Sequence, residues 1–169
     1  MLQQRRRVSM RHRAHRVEQF ARRNHVPVCV SWRRNDAFDN EHASYAGSLG
    51  YNAHPELWTA VSEADCILVL GARLDEPSTR AYTMFDEKRA RDLIHVYPNQ
   101  DDIGRNFPPT LGICADISET LAALATTTLL ASASREAWCK QLRSTFVSSR
   151  QPPQLEGGLD PGDIMRSLA

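Results

Sequence analysis

The chain has 169 residues, 41% of them hydrophobic and 24% charged, with 21 basic against 20 acidic side chains and a formal net charge of +1. That is one domain's worth of material, long enough to bury a core, and no run approaches the roughly 18 consecutive apolar residues of a membrane-spanning helix. The near-zero charge averages two unlike segments: residues 1–23 hold 8 Arg against the single acid Glu18, for +7, which leaves 13 basic and 19 acidic residues, or −6, downstream.

In chain order, the Arg-rich head from Met1 to Arg16 has no 7–15-residue apolar core and so is not a secretory signal. It reads as a disordered or non-native leader, ahead of an organelle transit segment or an arm for nucleic acid or anionic lipid, because Leu2, Val8 and Met10 give it little to bury. From Ala14, the residues Val17, Phe20, Ala21 and Asn24 follow one helix face, with Pro27 as a stop. Val26 to Ser31 is a strand candidate, followed by a long polar loop. Pro55 then opens a helix in which Leu57, Val61 and Ala64 share a face.

Cys66-Ile67-Leu68-Val69-Leu70 is apolar at every position, which predicts a central strand of a parallel sheet covered on both sides. The same character returns in Leu93–Tyr97 and, more weakly, in Leu111–Ala115. Asp116 with Glu119 forms a capping pair ahead of a helix carrying Leu121, Leu124, Ala125 and Thr128, and Ser134 opens another with Trp138, Leu142 and Phe146 in register. Buried strands alternating with amphipathic helices predict an α/β fold: a doubly wound, mainly parallel sheet with helices on both faces. Gln151-Pro152-Pro153 and Gly157-Gly158 read as a linker over 151–158, and residues 159–169 as the first turns of a following domain.

The four cysteines, Cys29, Cys66, Cys114 and Cys139, form no C-x-x-C pair, and three lie inside apolar runs; the expectation is a reducing, cytoplasmic compartment without structural zinc or a disulfide framework. In an open parallel sheet, ligands bind beyond the carboxyl ends of the strands. Here those ends are polar: Ser31–Arg34, Gly71–Asp75, Pro98–Asp102 and Ala115–Asp116. Gly71 permits close backbone approach, Arg73 offers a guanidinium to a phosphate, and Asp75 or Asp116 can accept from a ribose hydroxyl. The same polarity also follows from solvation and capping alone. Asp36, Asp39, Glu41 and His42 crowd one loop, but their spacing fits no metal cage and a solvated loop is the better reading. His95, inside an apolar strand, reads as a satisfied core histidine. Neither G-x-S-x-G, G-x-G-x-x-G nor a P-loop occurs.

The run ADCILVLGARLDEPSTRAYTMF, followed by LIHVYPNQDDIGRNFPPTLGICAD and preceded by VPVCVSWRRNDAFDNEHASYAGSLG, resembles the central domain of thiamine-diphosphate-dependent enzymes of the acetolactate synthase large-subunit type. The resemblance covers about residues 15–130. It implies a Rossmann-like domain over 15–150, between a basic leader at 1–14 and the entry to a diphosphate-binding domain at 159–169. It further implies thiamine diphosphate and Mg2+ in the full-length protein, held by domains whose GDG motif is absent from this sequence, and an FAD site in the central domain.

Carried over by motif, the FAD contacts fall on Leu49 and Gly50, on Gly71, Ala72, Arg73 and Asp75, on Asp102 and Ile103, and on Asp116. Asn52-Ala53 stands where the family has His-Gly, Pro77 where it has a second Arg, and Tyr97 where it has an acid. The family's first strand and glycine-rich turn should precede the Val17–Asn24 helix; the sequence has Arg5-Arg6-Arg7 and Arg11-His12-Arg13 there, so the first strand is expected to be missing. The resulting expectation is a central-domain fragment that acts as scaffold, with no catalytic residue and no metal ligand of its own. The enzyme as a whole would decarboxylate a 2-keto acid and transfer the two-carbon unit, and the chain would pair with copies of itself or with a full-length homologue. A stand-alone nucleotide-binding module and a partner subunit are the alternatives.

Overall fold

A computed structural model of the chain describes residues 14–85, 92–150 and Ser167. The expected leader, linker and third-domain entry therefore lie outside the described residues, apart from Ala14 and Ser167. The first helix, α1, occupies described residues 14–24 and is followed by β1 (Val28–Val30), β2 (Tyr45–Ser48), α2 (Pro55–Glu63), β3 (Cys66–Leu70), β4 (Asp92–Tyr97), β5 (Leu111–Cys114), α3 (Ile117–Thr126) and α4 (Ala133–Ser149). Short 3-10 turns at Pro77–Thr79 and Gln100–Asp102 follow β3 and β4. None of the helices is long and apolar enough to cross a membrane among the described residues.

Among the described residues all strand pairs are parallel, as the sequence predicts, and the strands form two ladders: β1 with β2, and β3-β4-β5 in that order. β1 starts at Val28 because Pro27 has no N–H to contribute, whereas the Val28 N–H reaches Ser44 O at 2.8 Å. β2 lies inside the stretch read as a polar loop. Its Tyr-Ala-Gly-Ser sequence carries no apolar run, yet Tyr45, Ala46 and Gly47 are all buried. Among the described residues β4 is the middle strand of its ladder and β3 pairs on one side, with Cys66 exposed and Leu68 and Leu70 half-buried. Cys114 is likewise exposed on β5, so two of the thiols that lie inside apolar runs are at the surface; all four are free.

Helices cover both faces. Tyr45 points to a cluster with Ala21 of α1, Val30 and Phe38, while the next residue, Ala46, points to a cluster with Leu57 and Ala60 of α2. The alternation is that of a strand with both faces packed. The second cluster also contains Val69, Leu74 and Leu93, so the α2 face joins the two ladders through side chains. α4 lies against β2, placing Leu142 in one cluster and Phe146 against the other, and thereby covers the outer side of that ladder. Its N-cap is Ser132, whose side chain accepts from Arg135 N; the sequence reading placed the cap two residues later.

Asn24, on the buried face of α1 and 2% exposed, ties that helix to the end of α3. Its Nδ2 donates to Phe20 O and Thr127 O, each at 3.0 Å, and its Oδ1 accepts from Leu129 N at 2.7 Å. Arg16 and Arg23 donate to Ser118 O and Ala125 O of α3. Two arginines of the basic N-terminal region thus serve helix packing.

Two outcomes are expected. Leu57, 5% exposed at the junction of the ladders, should lose about 2–5 kcal/mol of stability as Leu57→Ala, read by denaturant unfolding. His42 accepts Ser44 N at Nδ1 and is buried, so burial first and the Arg22 charge second hold its pKa below the usual 6.5. A lowered native pKa means that the unfolded chain binds the proton more readily. The stabilisation is therefore complete above pH 6.5 and is lost as pH falls through the native value. His42→Gln should flatten that part of the stability-pH curve, measured by thermal unfolding at a series of pH values.

Candidate functional site

The carboxyl ends of β3 and β4 bring most of the expected cofactor residues together. Gly71 follows β3 with φ +66, a left-handed conformation that favours glycine, and a Cβ there would press on Ile117 of α3 at 3.3 Å. Ala72 O accepts from His95 Nε2 at 2.9 Å, and the other ring nitrogen accepts from Gly104 N at 3.5 Å. His95 is 1% exposed and satisfied on both sides, as expected of a core histidine.

Arg73 extends from the same loop over the Tyr97 ring, 5.8 Å from its centroid. Its Nε donates to Tyr97 Oη at 2.9 Å and lies 3.5 Å from Asp102 Oδ2. The Tyr97 hydrogen bond and, after it, the Asp102 charge raise the Arg73 pKa further above its already high value. Asp102 is buried, accepts from Asn99 Nδ2 at 3.2 Å, and faces Arg105 Nη1 at 3.7 Å. Ile103 ends the 3-10 turn next to it, and its Cγ2 lies 2.7 Å from where a Cβ on Gly112 would stand.

The remaining carboxylates are engaged locally. Asp75 Oδ1 accepts from Ser78 N at 3.2 Å, and Asp116 Oδ1 accepts from Ser118 N at 2.7 Å and Glu119 N at 3.2 Å as the N-cap of α3. Leu49 is buried in the core below β2. Gly50 has φ +144, and a Cβ there would come within 2.4 Å of the Trp32 ring. Trp32 meets Tyr51 edge-on at 5.2 Å and carries the Arg33 guanidinium at 5.7 Å.

Arg73, the one strand-end guanidinium of the motif, is paired with Tyr97 and Asp102, both acids offered for ribose contacts accept backbone N–H groups, and the Trp32 indole rests on Gly50. Tyr97, which stands where an acid was expected, is the residue that takes up Arg73. It was visible in the sequence only as a departure, because a pairing partner 24 residues away leaves no local signal.

The loop acids also have structural partners. Glu41 meets Arg150 at 2.9 Å and Arg143 at 3.3 Å, and the Arg150 hydrogen bond leads in holding its carboxyl below the usual range. Arg34 pairs with Asp36, and Asp39 Oδ1 accepts from Glu41 N. His42, read as part of a solvated loop, is instead buried against Phe38. Among the described residues no group of three or more His, Cys, Asp or Glu is disposed to hold a metal ion. An open groove of about 470 Å3 lies between β2, the start of α2 and α4, bordered by Asn40, Asn52, His54, Thr145 and Arg150. It is separate from the Arg73 cluster, since none of that cluster's residues lines it.

The family model for the thiamine pyrophosphate enzyme central domain matches residues 6–124. The chain belongs to the thiamine pyrophosphate enzyme family, as its central domain. It is 42% identical over 98 residues to a sulfoacetaldehyde acetyltransferase of Rhodobacter capsulatus, covering 57% of this chain and 17% of that protein. It is 32% identical over 111 residues to an acetolactate synthase large subunit of Cyanidium caldarium, covering 65% and 18%. With another such large subunit, from Parasynechococcus marenigrum, it shares 27% identity over 157 residues, 90% of this chain and 25% of that one. The chain thus spans about a sixth to a quarter of the length of these relatives. The central-domain resemblance seen in the sequence holds, and the relatives include a second enzyme type besides acetolactate synthase.

The Gly50 geometry yields a direct expectation. Gly50→Ala combines a positive φ with a clash against an aromatic ring, and should cost about 1–3 kcal/mol by displacing Trp32. Chemical denaturation gives the cost, and a shift in tryptophan fluorescence would report the displacement.

Proposed function

We propose that this chain is the scaffold domain of a thiamine-diphosphate-dependent enzyme that transfers a two-carbon unit derived from a 2-keto acid. The observation carrying the reading is the central-domain match over residues 6–124, together with a strand-end cluster whose charged groups pair with one another. The carbanion chemistry belongs to thiamine diphosphate, with Mg2+ as the ion that would anchor its diphosphate. In this reading the residues of this chain supply folding and domain spacing. FAD has no part in this reading, in which Arg73 serves Tyr97 and Asp102. The partners would be further copies of the chain or a full-length homologue carrying the cofactor domains.

The substrate branch follows from the relatives. The 42% identity to the Rhodobacter capsulatus protein, against 32% to the Cyanidium caldarium one, favours a sulfoacetaldehyde acetyltransferase-type enzyme over an acetolactate synthase-type one.

The purified 169-residue chain should turn over no pyruvate with thiamine diphosphate and Mg2+ added, with or without sulfoacetaldehyde, and should show no flavin absorbance. Product formation above the cofactor-only background would overturn the scaffold reading, and a stoichiometric flavin spectrum would restore the dinucleotide site.

A further inference from the structure

His42 lies in the turn that leads into β2. Its ring is 7% exposed and meets Phe38 edge-on at 5.1 Å between centroids, and Phe38 in turn belongs to the cluster that holds Ala21 of α1 and Tyr45 of β2. Nδ1 accepts from Ser44 N at 3.0 Å, so the ring is neutral and its one proton is on Nε2. Backbone bonds close the same turn: His42 N donates to Asp39 O at 3.1 Å, Tyr45 N donates to His42 O at 2.9 Å, and Ser44 O accepts from Val28 N at 2.8 Å.

The turn is also where α4 is held. Arg143 donates from Nη1 to Asn40 O at 2.7 Å and from Nη2 to Glu41 Oε2 at 3.3 Å, while Arg150 Nη1 donates to Glu41 Oε1 at 2.9 Å. Both guanidiniums lie over the Phe146 ring, at 5.4 and 5.6 Å. Glu41 and Arg150 border the groove between β2 and α4, one from the turn and one from the helix, so their pairing bridges it.

A second proton on the His42 ring conflicts with this arrangement. It would be carried at Nδ1, donor against donor with Ser44 N–H, and would place a charge inside a packed cluster. The charged groups facing the ring divide evenly: Arg22 of α1 and Arg143 of α4 oppose the added charge, whereas Glu18 of α1 and Asp39 of the turn favour it. Burial is the largest influence and decides against the charged ring in the closed turn. Turned out to water, the ring takes its proton at the usual 6.5, but turning out requires that the Ser44 N bond break.

We propose that His42 is the pin of an acid-released clasp: protonation of its ring opens the 39–45 turn and, through Asn40 and Glu41, releases α4 at Arg143 and Arg150. One proton is taken up on opening, so the open-to-closed ratio rises about tenfold per pH unit below 6.5, until the closed-turn pKa is reached. Glu41 is not the sensor. The Arg150 hydrogen bond leads in holding its carboxyl below the usual range, and it is still ionised where a histidine first takes its proton.

The test follows amide hydrogen exchange of the full 169-residue chain from about pH 7.5 to about pH 5, with each rate taken relative to that of an unstructured amide at the same pH. Protection at Ser44, at Tyr45 and over residues 143–147 of α4 should fall together, about tenfold per pH unit below 6.5. Gly71 and Ala115, whose N–H groups bond Val96 O and Tyr97 O of β4, should keep theirs. No fall, a fall at Ser44 and Tyr45 without α4, or an equal fall at Gly71 would each overturn the proposal. His42→Asn keeps an acceptor where Nδ1 stands and takes no proton, so it should flatten the profiles at Ser44 and α4; a slope that persists in it counts against the clasp. If that variant does not fold, the unaltered chain supplies a second measurement. Nitrogen-15 spectra of the His42 ring at neutral pH should place the proton on Nε2, and a proton on Nδ1 would sink the idea.

Discussion

Among the described residues no backbone hydrogen bond joins β1 to β3, and side-chain packing spans that junction. Ala46 and Leu49 from one ladder meet Val69 and Leu93 from the other beneath Leu57 and Ala60 of α2. Burial of this kind is non-directional and scales with apolar area. It can hold two ladders side by side without fixing a register between them. On the opposite face, directional contacts take over: Asn24 ties α1 to the turn after α3 through its side-chain amide, and Arg135 Nε donates to Asn24 O at 2.7 Å. The domain is thus greasy on the α2 side and hydrogen-bonded on the α1 side, and the second arrangement supplies the geometric precision that the first lacks.

The strand ends show how the same polar residues can serve folding or binding. A guanidinium, several carboxylates and a close-approach glycine are what a nucleotide cleft requires. They are also what a parallel sheet needs in order to turn each strand into the following segment: Asp116 caps α3, Asp75 holds the Pro77–Thr79 turn, and Gly71 lets the chain pass Ile117. The deciding substitution is Tyr97. A carboxylate at that position would face Asp102 across Arg73, whereas the phenol accepts from Arg73 without adding charge, and the buried Asp102 keeps its counter-ion. One neutral side chain thereby leaves the charges of Arg73 and Asp102 facing each other.

How legible this was in the sequence varied with the range of the interaction. The helices α1, α2 and α3 and the strands β3, β4 and β5 could be read because their signals are local: 3.6-residue spacing, continuous apolar runs, and Asp116 ahead of Glu119. β2 could not. Tyr45-Ala46-Gly47-Ser48 is a strand because α2 and α4 close on it from either side; Gly47 has no Cβ where Leu57 would stand 3.1 Å away, so small size there reflects packing. The five apolar residues of β3 describe a strand made to be covered on both sides, a requirement that composition records locally. The strand-end residues were chosen by motif, whereas the pairings of Arg73 with Tyr97 and of the loop acid Glu41 with Arg150 span 24 and 109 positions and leave no local trace.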